Sequence, residues 1–260
     1  MGYFDDETEL DADAALTISP QWNIGDSANG GYAMAPVLRS IRDLGAHPDP
    51  ISVTTHFLRP TAGGEGAHVR SETIRNGRTT SVGCGTLAQA GKDRLTVVAA
   101  FGDLSQPSPV DVELTVLPPL IPPPADCVDR AELEQGVALP ILDRVDVRIH
   151  PDRVVAGASD DAVVEGWIRF VDGTDPSTLA ATMFADAFPP SLFSMVGRVG
   201  WVPTIELTVH VRRRPAPGWM QARLECDDLT GGRMIETGSL WDSTGALVAR
   251  SRQIGLLLPN

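Results

Sequence analysis

The sequence is short of cysteine and of positive charge. Cys84, Cys127 and Cys226 are odd in number and none forms a CxxC pair, which argues against a disulfide framework and a cysteine-based zinc site and for free thiols in a reducing compartment. Lys+Arg number 21 against 34 for Asp+Glu, a net charge of -13, so a general nucleic-acid or anionic-membrane binder is disfavoured. The five histidines, at positions 47, 56, 68, 150 and 210, make no metal-ligand spacing, so no metal and no cofactor is expected. No apolar run reaches the length of a membrane span. The leading MGYFDDETEL lacks the basic and apolar regions of a signal peptide, so the chain is expected in the cytoplasm. GxSxG, HExxH, Walker A and EF-hand motifs are also missing. Gly83-Cys-Gly-Thr-Leu-Ala88 fits a dinucleotide pattern loosely, but it lies among strands and opens no helix.

What is present is an ordinary globular composition: 260 residues, 42% hydrophobic and 21% charged, enough for one large domain or two of usual size. Residues 1–24 carry Leu16, Ile18 and Trp22 and read as a leading strand or ordered arm. Met34, Val37, Leu38, Ile41 and Leu44 then recur at helical spacing, with Ser27 or Asn29 as cap and Gly45 as stop. From Ile51 the period becomes two. Strands are predicted at Ser52–Leu58, Ala67–Arg75, Thr79–Gln89 and Leu95–Phe101, with hairpin turns at Asn76-Gly77 and Ala90-Gly91. Seven prolines between 104 and 126 predict an extended linker with one edge strand at Val112–Leu117. Strands resume at Val145–His150 and Ala162–Phe170, and after a second helix at Thr204–Arg213, Trp219–Asp227, Arg233–Trp241 and Leu247–Leu257.

That second helix is read over Asp175–Pro190, with Asp175 as cap, Pro176 in the first turn and Pro189-Pro190 as stop. Leu179, Ala180, Met183, Phe184 and Ala187 form its apolar stripe, and Asp186 falls at the stripe's edge. A carboxylate there is either a solvated last-turn charge or a group with a partner and a purpose.

The two halves read alike. The Gly-Arg pairs Gly77-Arg78 and Gly232-Arg233, and the Arg-Pro pairs Arg59-Pro60 and Arg214-Pro215, are separated by one interval, 155 residues (233 − 78 and 215 − 60). Two landmarks at one spacing indicate tandem copies of an α+β unit, a long helix wrapped by a curved antiparallel sheet. The units are placed at 1–103 and 141–260, joined by 104–140.

In order and spacing, Asn29-Gly-Gly-Tyr-Ala33, His56-Phe-Leu-Arg-Pro60, Arg75-Asn-Gly-Arg78 and Gln89-Ala-Gly91 in the first half resemble the acyl-CoA thioesterase II-like family, as do Phe184-Ala-Asp186, Pro203-Thr-Ile205, Gly232-Arg233, Trp241-Asp242 and Ser251-Arg-Gln253 in the second. The resemblance implies a double hot-dog fold, an acyl-CoA substrate and a catalytic set of Asp, Thr and Gln that holds a water. The matching positions are Asp186, Thr204 and Gln253, with Thr208 as the other threonine on the same strand.

Thioester hydrolysis without a nucleophilic Ser or Cys needs a base, a positioned water and donors for the developing oxyanion. Asp186 supplies the base if burial raises its pKa. The first half has no Asp at the matching turn, so one active site per chain is expected. Gly30 and Gly31 either offer N–H groups to an oxygen or simply turn the chain into a helix. Arg78, Arg213 and Arg233 are candidates for the phosphates of an anionic tail, and Phe184 and Trp201 for an acyl tunnel. The expected activity is release of CoA and a carboxylic acid, the alternative a non-catalytic acyl-CoA or acyl-carrier binding protein on the same scaffold. Exposed sheet edges make a homo-oligomer plausible.

Overall fold

The computed structural model describes residues 2–107, 110, 112–133, 136–197 and 202–257. A leading arm holds α1 (Tyr3–Asp6), β1 (Ala15–Thr17) and the small β2 (Asn23–Ile24) and β3 (Ser27–Ala28). Next come α2 (Gly30–Leu44) and the strands β4 (Asp49–Phe57), β5 (Gly66–Asn76), β6 (Ser81–Gln89) and β7 (Lys92–Gly102). The second half has β8 (Val128–Asp129), β9 (Val145–Ile149), β10 (Val163–Phe170), α3 (Thr178–Phe184) and α4 (Phe193–Val196). It closes with β11 (Thr204–Val211), β12 (Met220–Thr230), β13 (Arg233–Trp241) and β14 (Leu247–Leu256).

All but β2 and β3 of these strands join one 12-stranded sheet in the order β1-β5-β6-β7-β4-β11-β14-β13-β12-β10-β9-β8. The run β4-β7-β6-β5 and the run β11-β14-β13-β12 have the same order, so the sequence repeat is also a repeat of strand topology. The runs meet where β4 pairs antiparallel with β11, and there the hydroxyls of Thr54 and Thr208 lie 2.9 Å apart.

Helix α2 starts where the Asn29 side chain accepts from the Tyr32 N–H at 2.9 Å. Its stripe of Met34, Val37, Leu38 and Ile41 is buried on the sheet. Gly83 and Gly85 of β6 let it sit close: a Cβ on Gly83 would come within 2.5 Å of Ile41 Cγ2, and one on Gly85 within 2.6 Å of Val37 Cγ1. The Gly83-Cys-Gly85 pattern therefore serves helix-on-sheet packing.

Several expectations are corrected. The second helix is not Asp175–Pro190 but the seven residues of α3, capped by Ser177 Oγ, which accepts from the Ala180 N–H at 3.1 Å. Asp175 instead accepts from the Gly218 N–H at 3.1 Å. The chain leaves α3 through i→i−3 bonds, from the Asp186 N–H to Met183 O at 3.0 Å and from the Ala187 N–H to Phe184 O at 3.3 Å. Phe188 cannot stay helical before Pro189-Pro190. The long helix expected in each unit is thus found only in the first. Ala90-Gly91 is a two-residue hairpin turn with both φ positive, at 49° and 71°. At Asn76-Gly77 the connection is longer, since β6 begins only at Ser81.

No strand forms over Val112–Leu117. The linker is instead tied to the outer sheet face by side-chain donors. Trp241 Nε1 donates to Val116 O at 2.8 Å, Gln221 Nε2 to Pro119 O at 3.4 Å and Trp167 Nε1 to Pro122 O at 2.8 Å. These donors are cross-strand neighbours on β13, β12 and β10. Their acceptors recur every third residue, the period of a polyproline II chain.

Candidate active site

Helix α2 and the turn after α3 approach end to side, which puts Asp186 at the N-terminus of α2. Asp186 Oδ2 accepts from the Gly31 N–H at 2.9 Å and from Asn29 Nδ2 at 3.0 Å. Asn29 Nδ2 also reaches the Asp186 carbonyl at 2.7 Å, so one side chain caps α2 and holds the turn. Two glycines permit the approach. A Cβ on Gly30 would lie 2.8 Å from the Phe57 ring and 2.9 Å from Asp186 Oδ2, and one on Gly31 would lie 2.8 Å from Met183 Cα. Oδ2 is thus fully engaged, while Oδ1 accepts no hydrogen bond among the described residues.

Asp186 is half-buried on the wall of a cavity of about 280 Å³. Loss of water raises its pKa from 3.8 to about 6; the Gly31 N–H opposes the rise, the charge of Glu236 adds to it, and Asn29 and the Gly30 N–H oppose it. A group poised there is a base near neutral pH.

Thr204 and Gln253 line the same cavity, and Thr204 Oγ1 donates to Gln253 Oε1 at 3.2 Å. A β-bulge explains the threonine. Thr204 pairs with Gly255 and Glu206 with Ile254, so Ile205 is an extra residue that turns Thr204 inward. Thr208 falls on the outward-facing side of β11, bonded to Thr54 and to Glu206 Oε1, and does not reach the cavity. Gln253 alternates with Ala249, Ser251 and Gly255 toward the helices, while Arg252 faces outward and pairs with Asp227.

Two buried charges escaped the reading of the sequence. Glu236 is 1% exposed and is the direct cross-strand partner of Gln253. Its Oε1 accepts from Gln253 Nε2 at 2.5 Å, and its Oε2 accepts from the Ser191 N–H at 2.8 Å and from the Ser191 hydroxyl. Burial raises its pKa. The signal for it was a Glu in Met234-Ile-Glu-Thr-Gly238, on the side of an alternating strand that Met234 and Leu240 share. Arg130, from the Pro-rich connection, is 1% exposed, lines the cavity and donates to the Ala187 carbonyl. Burial lowers its pKa to about 10, so it stays charged.

Of the remaining candidates, only Gly30 lines the cavity among the described residues. Among the described residues the cavity's cations are Arg59 and Arg130, not Arg78, Arg213 or Arg233. Arg213 pairs with Glu113 and Leu247 O, the Arg78 carbonyl sits 3.2 Å from His47 Nε2, and Arg233 is exposed on the β12–β13 turn. Phe184 is fully buried against Phe170, with centroids 4.8 Å apart, and the apolar lining includes Phe57, Leu58, Phe188, Val202, Leu224 and Met234. Gly30 lines the cavity, but the Gly31 N–H is spent on Asp186. Trp201 lies outside the described residues. No group of His, Cys, Asp and Glu able to hold a metal ion occurs among the described residues.

Family models described as the acyl-CoA thioesterase N-terminal and C-terminal domains match residues 18–104 and 124–257. A solved structure assigned as a thioesterase II from Thermobifida fusca YX is 30% identical, with a TM-score of 0.88 over 100% of this chain and 98% of its own. A hot-dog-fold protein of unknown function from Alicyclobacillus acidocaldarius is 21% identical, with a TM-score of 0.84 over 100% of this chain and 99% of its own. An uncharacterized protein of Mycobacterium tuberculosis H37Rv is 27% identical over 264 residues, 92% of this chain and 89% of its own. The architecture is a hot-dog fold.

Proposed function

The chain belongs to the acyl-CoA thioesterase family, and on that premise we propose that it hydrolyses acyl-CoA thioesters to free CoA and a carboxylic acid through a water activated by Asp186. The observation that carries this reading is the division of labour at Asp186, a residue on the wall of a cavity shared with Thr204 and Gln253: one carboxylate oxygen is tied to Gly31 and Asn29, and the other accepts no hydrogen bond among the described residues. A base must be held by one end and free at the other.

In the proposed step, Asp186 Oδ1 takes a proton from water as its oxygen bonds to the thioester carbonyl carbon. Charge develops on the carbonyl oxygen. Gln253 uses its Oε1 for Thr204 and one N–H for Glu236, which leaves one N–H of Nε2 as a donor for the water or the oxyanion. Collapse of the tetrahedral species breaks the C–S bond, and the departing thiolate takes the proton back from Asp186. The Gly31 N–H groups the base, not the oxyanion. The helix N-terminus thereby favours the charged carboxylate that burial opposes.

We read the repeated strand orders as a double hot-dog, with units at 1–103 and 141–260 joined by 104–140, and only the second carrying the acid, hydroxyl and amide. The site nevertheless needs both, because Asn29, Gly30 and Gly31 come from the first. Thiol release from a panel of acyl-CoAs, acetyl- to palmitoyl-, tests the activity. Saturable release identifies a thioesterase; tight acyl-CoA binding with no release identifies a binding protein on the same scaffold.

A further inference from the structure

We propose that Glu236 is a positioning residue of this reaction, which fixes the side-chain amide of Gln253 in the one orientation that leaves an N–H for the cavity. The inference rests on the hydrolase reading above and adds a residue to it.

A glutamine amide is nearly symmetric in shape and opposite in function at its two ends, so its orientation must be imposed. Here the imposition comes from the neighbouring strand. Glu236 and Gln253 face each other across β13 and β14, both toward the helices. An ionised carboxylate only accepts, so while Glu236 is charged the Gln253 atom 2.5 Å from its Oε1 is the nitrogen. The amide oxygen then lies on the other side, where the Thr204 hydroxyl donates to it at 3.2 Å. The reversed amide would set an oxygen against a carboxylate and repel. Glu236 is itself held: both Ser191 donors, backbone N–H and hydroxyl, converge on Oε2.

The arrangement is costly for a purely structural contact. Glu236 is 1% exposed and forms no salt bridge among the described residues. A buried carboxylate with hydrogen bonds but no counter-ion is unfavourable beside a neutral isostere. Gln at 236 would fill the same volume and keep the Ser191 donors on its oxygen. It would then turn its NH₂ toward Gln253 and reverse that amide, so the isosteric change removes the orientation and, with the charge, the upward push of Glu236 on the Asp186 pKa.

The test compares the unaltered chain with Glu236→Gln, Gln253→Ala and the double variant, on the fastest substrate of the acyl-CoA panel, together with thermal melts. We expect Glu236→Gln to lower kcat about 10²-fold, the effect of losing one oriented donor, with KM within about twofold and no fall in Tm. On the plateau above pH 7, where Asp186 is ionised with or without the charge of Glu236, the double variant should be no slower than Gln253→Ala alone, because there Glu236 acts through that amide. Wild-type kcat in Glu236→Gln, or a double variant slowed by the product of the two single effects, overturns the inference alone. No thiol release by the unaltered chain overturns the hydrolase reading and this inference with it. Should Glu236→Gln not fold, Ser191→Ala takes its place. A several-fold lower kcat that vanishes in the Gln253→Ala background supports the chain of contacts, and an unchanged kcat overturns it.

Discussion

The N–H of Gly31 donates to the Asp186 carboxylate at 2.9 Å across 155 residues of sequence, the same interval that separates the repeated Gly-Arg and Arg-Pro landmarks. The carboxylate is thus held by its own counterpart from the other half. The two positions cannot both carry side chains, since a Cβ on Gly31 would come within 3.1 Å of Asp186 Cβ and 2.8 Å of Met183 Cα. Position 31 must be glycine for the turn that carries Asp186 to sit against it, a steric asymmetry between the two halves.

Gly31→Ala forces α2 away from the turn after α3. Because Met183 meets it with backbone, accommodation is expensive, and we expect a loss of about 1–3 kcal/mol in stability with at least a tenfold fall in kcat. Thermal melts and thiol release check this together. An unchanged melting temperature with full activity would mean that α2 shifts freely.

Asp186→Asn should abolish turnover by about two orders of magnitude or more while stabilising the fold above neutral pH. The sign follows from burial. With its pKa raised from 3.8 to about 6, the folded chain keeps the Asp186 proton over a range where the unfolded chain has lost it. Stability is therefore highest below the unfolded value, falls as pH rises between the two, and stays lower above, by about 1–3 kcal/mol. Melting at pH 8 should favour Asp186→Asn, and melting at pH 4 should show little difference. In the unaltered enzyme kcat/KM should rise through an apparent value near 6 and level off, a value that belongs jointly to Asp186 and Glu236.

Asp49 is 4% exposed, and its carboxylate accepts from Arg214 Nε and Nη2, the Leu104 N–H and the Thr178 hydroxyl. It ties β4 to α3 and to the end of β11. Arg214→Ala leaves that carboxylate without its cation and should cost about 1–3 kcal/mol, discounted because Arg214 is about half exposed. Turnover should be unchanged, since neither group lines the cavity. A variant that melts normally would show the pair to be replaceable by solvent.

Trp241→Phe keeps the aromatic bulk and deletes the donor to Val116 O. We expect faster proteolysis between residues 112 and 123 with stability within about 1 kcal/mol of the parent. Unaltered cleavage would mean that Trp167 and Gln221 hold the strap by themselves.

Much of this protein is local in origin and so was legible in its sequence. The α2 stripe, the period-two strands and the Ala90-Gly91 turn depend on residues near one another in the chain, and the sheet order repeats as the short landmarks of the sequence do. Asp186, Gln253 and the pair Thr204 or Thr208 were named through the family resemblance, which rests on short stretches of sequence taken in order. What the tertiary structure decided was everything that required two distant segments at once. A one-residue bulge put Thr204, and not Thr208, on the cavity wall by reversing the alternation that a straight β11 would follow. Two flanking prolines and a Ser177 cap shortened the helix of Asp186 to α3 and left the carboxylate in a turn. Glu236 and Arg130 became part of the cavity only through burial, and Arg78, Arg213 and Arg233 fell outside it. Periodicity reports which face a residue takes within its own element. It carries no information about which other element's N–H groups, carboxylates or rings will stand opposite, and the chemistry of this site lies in those oppositions.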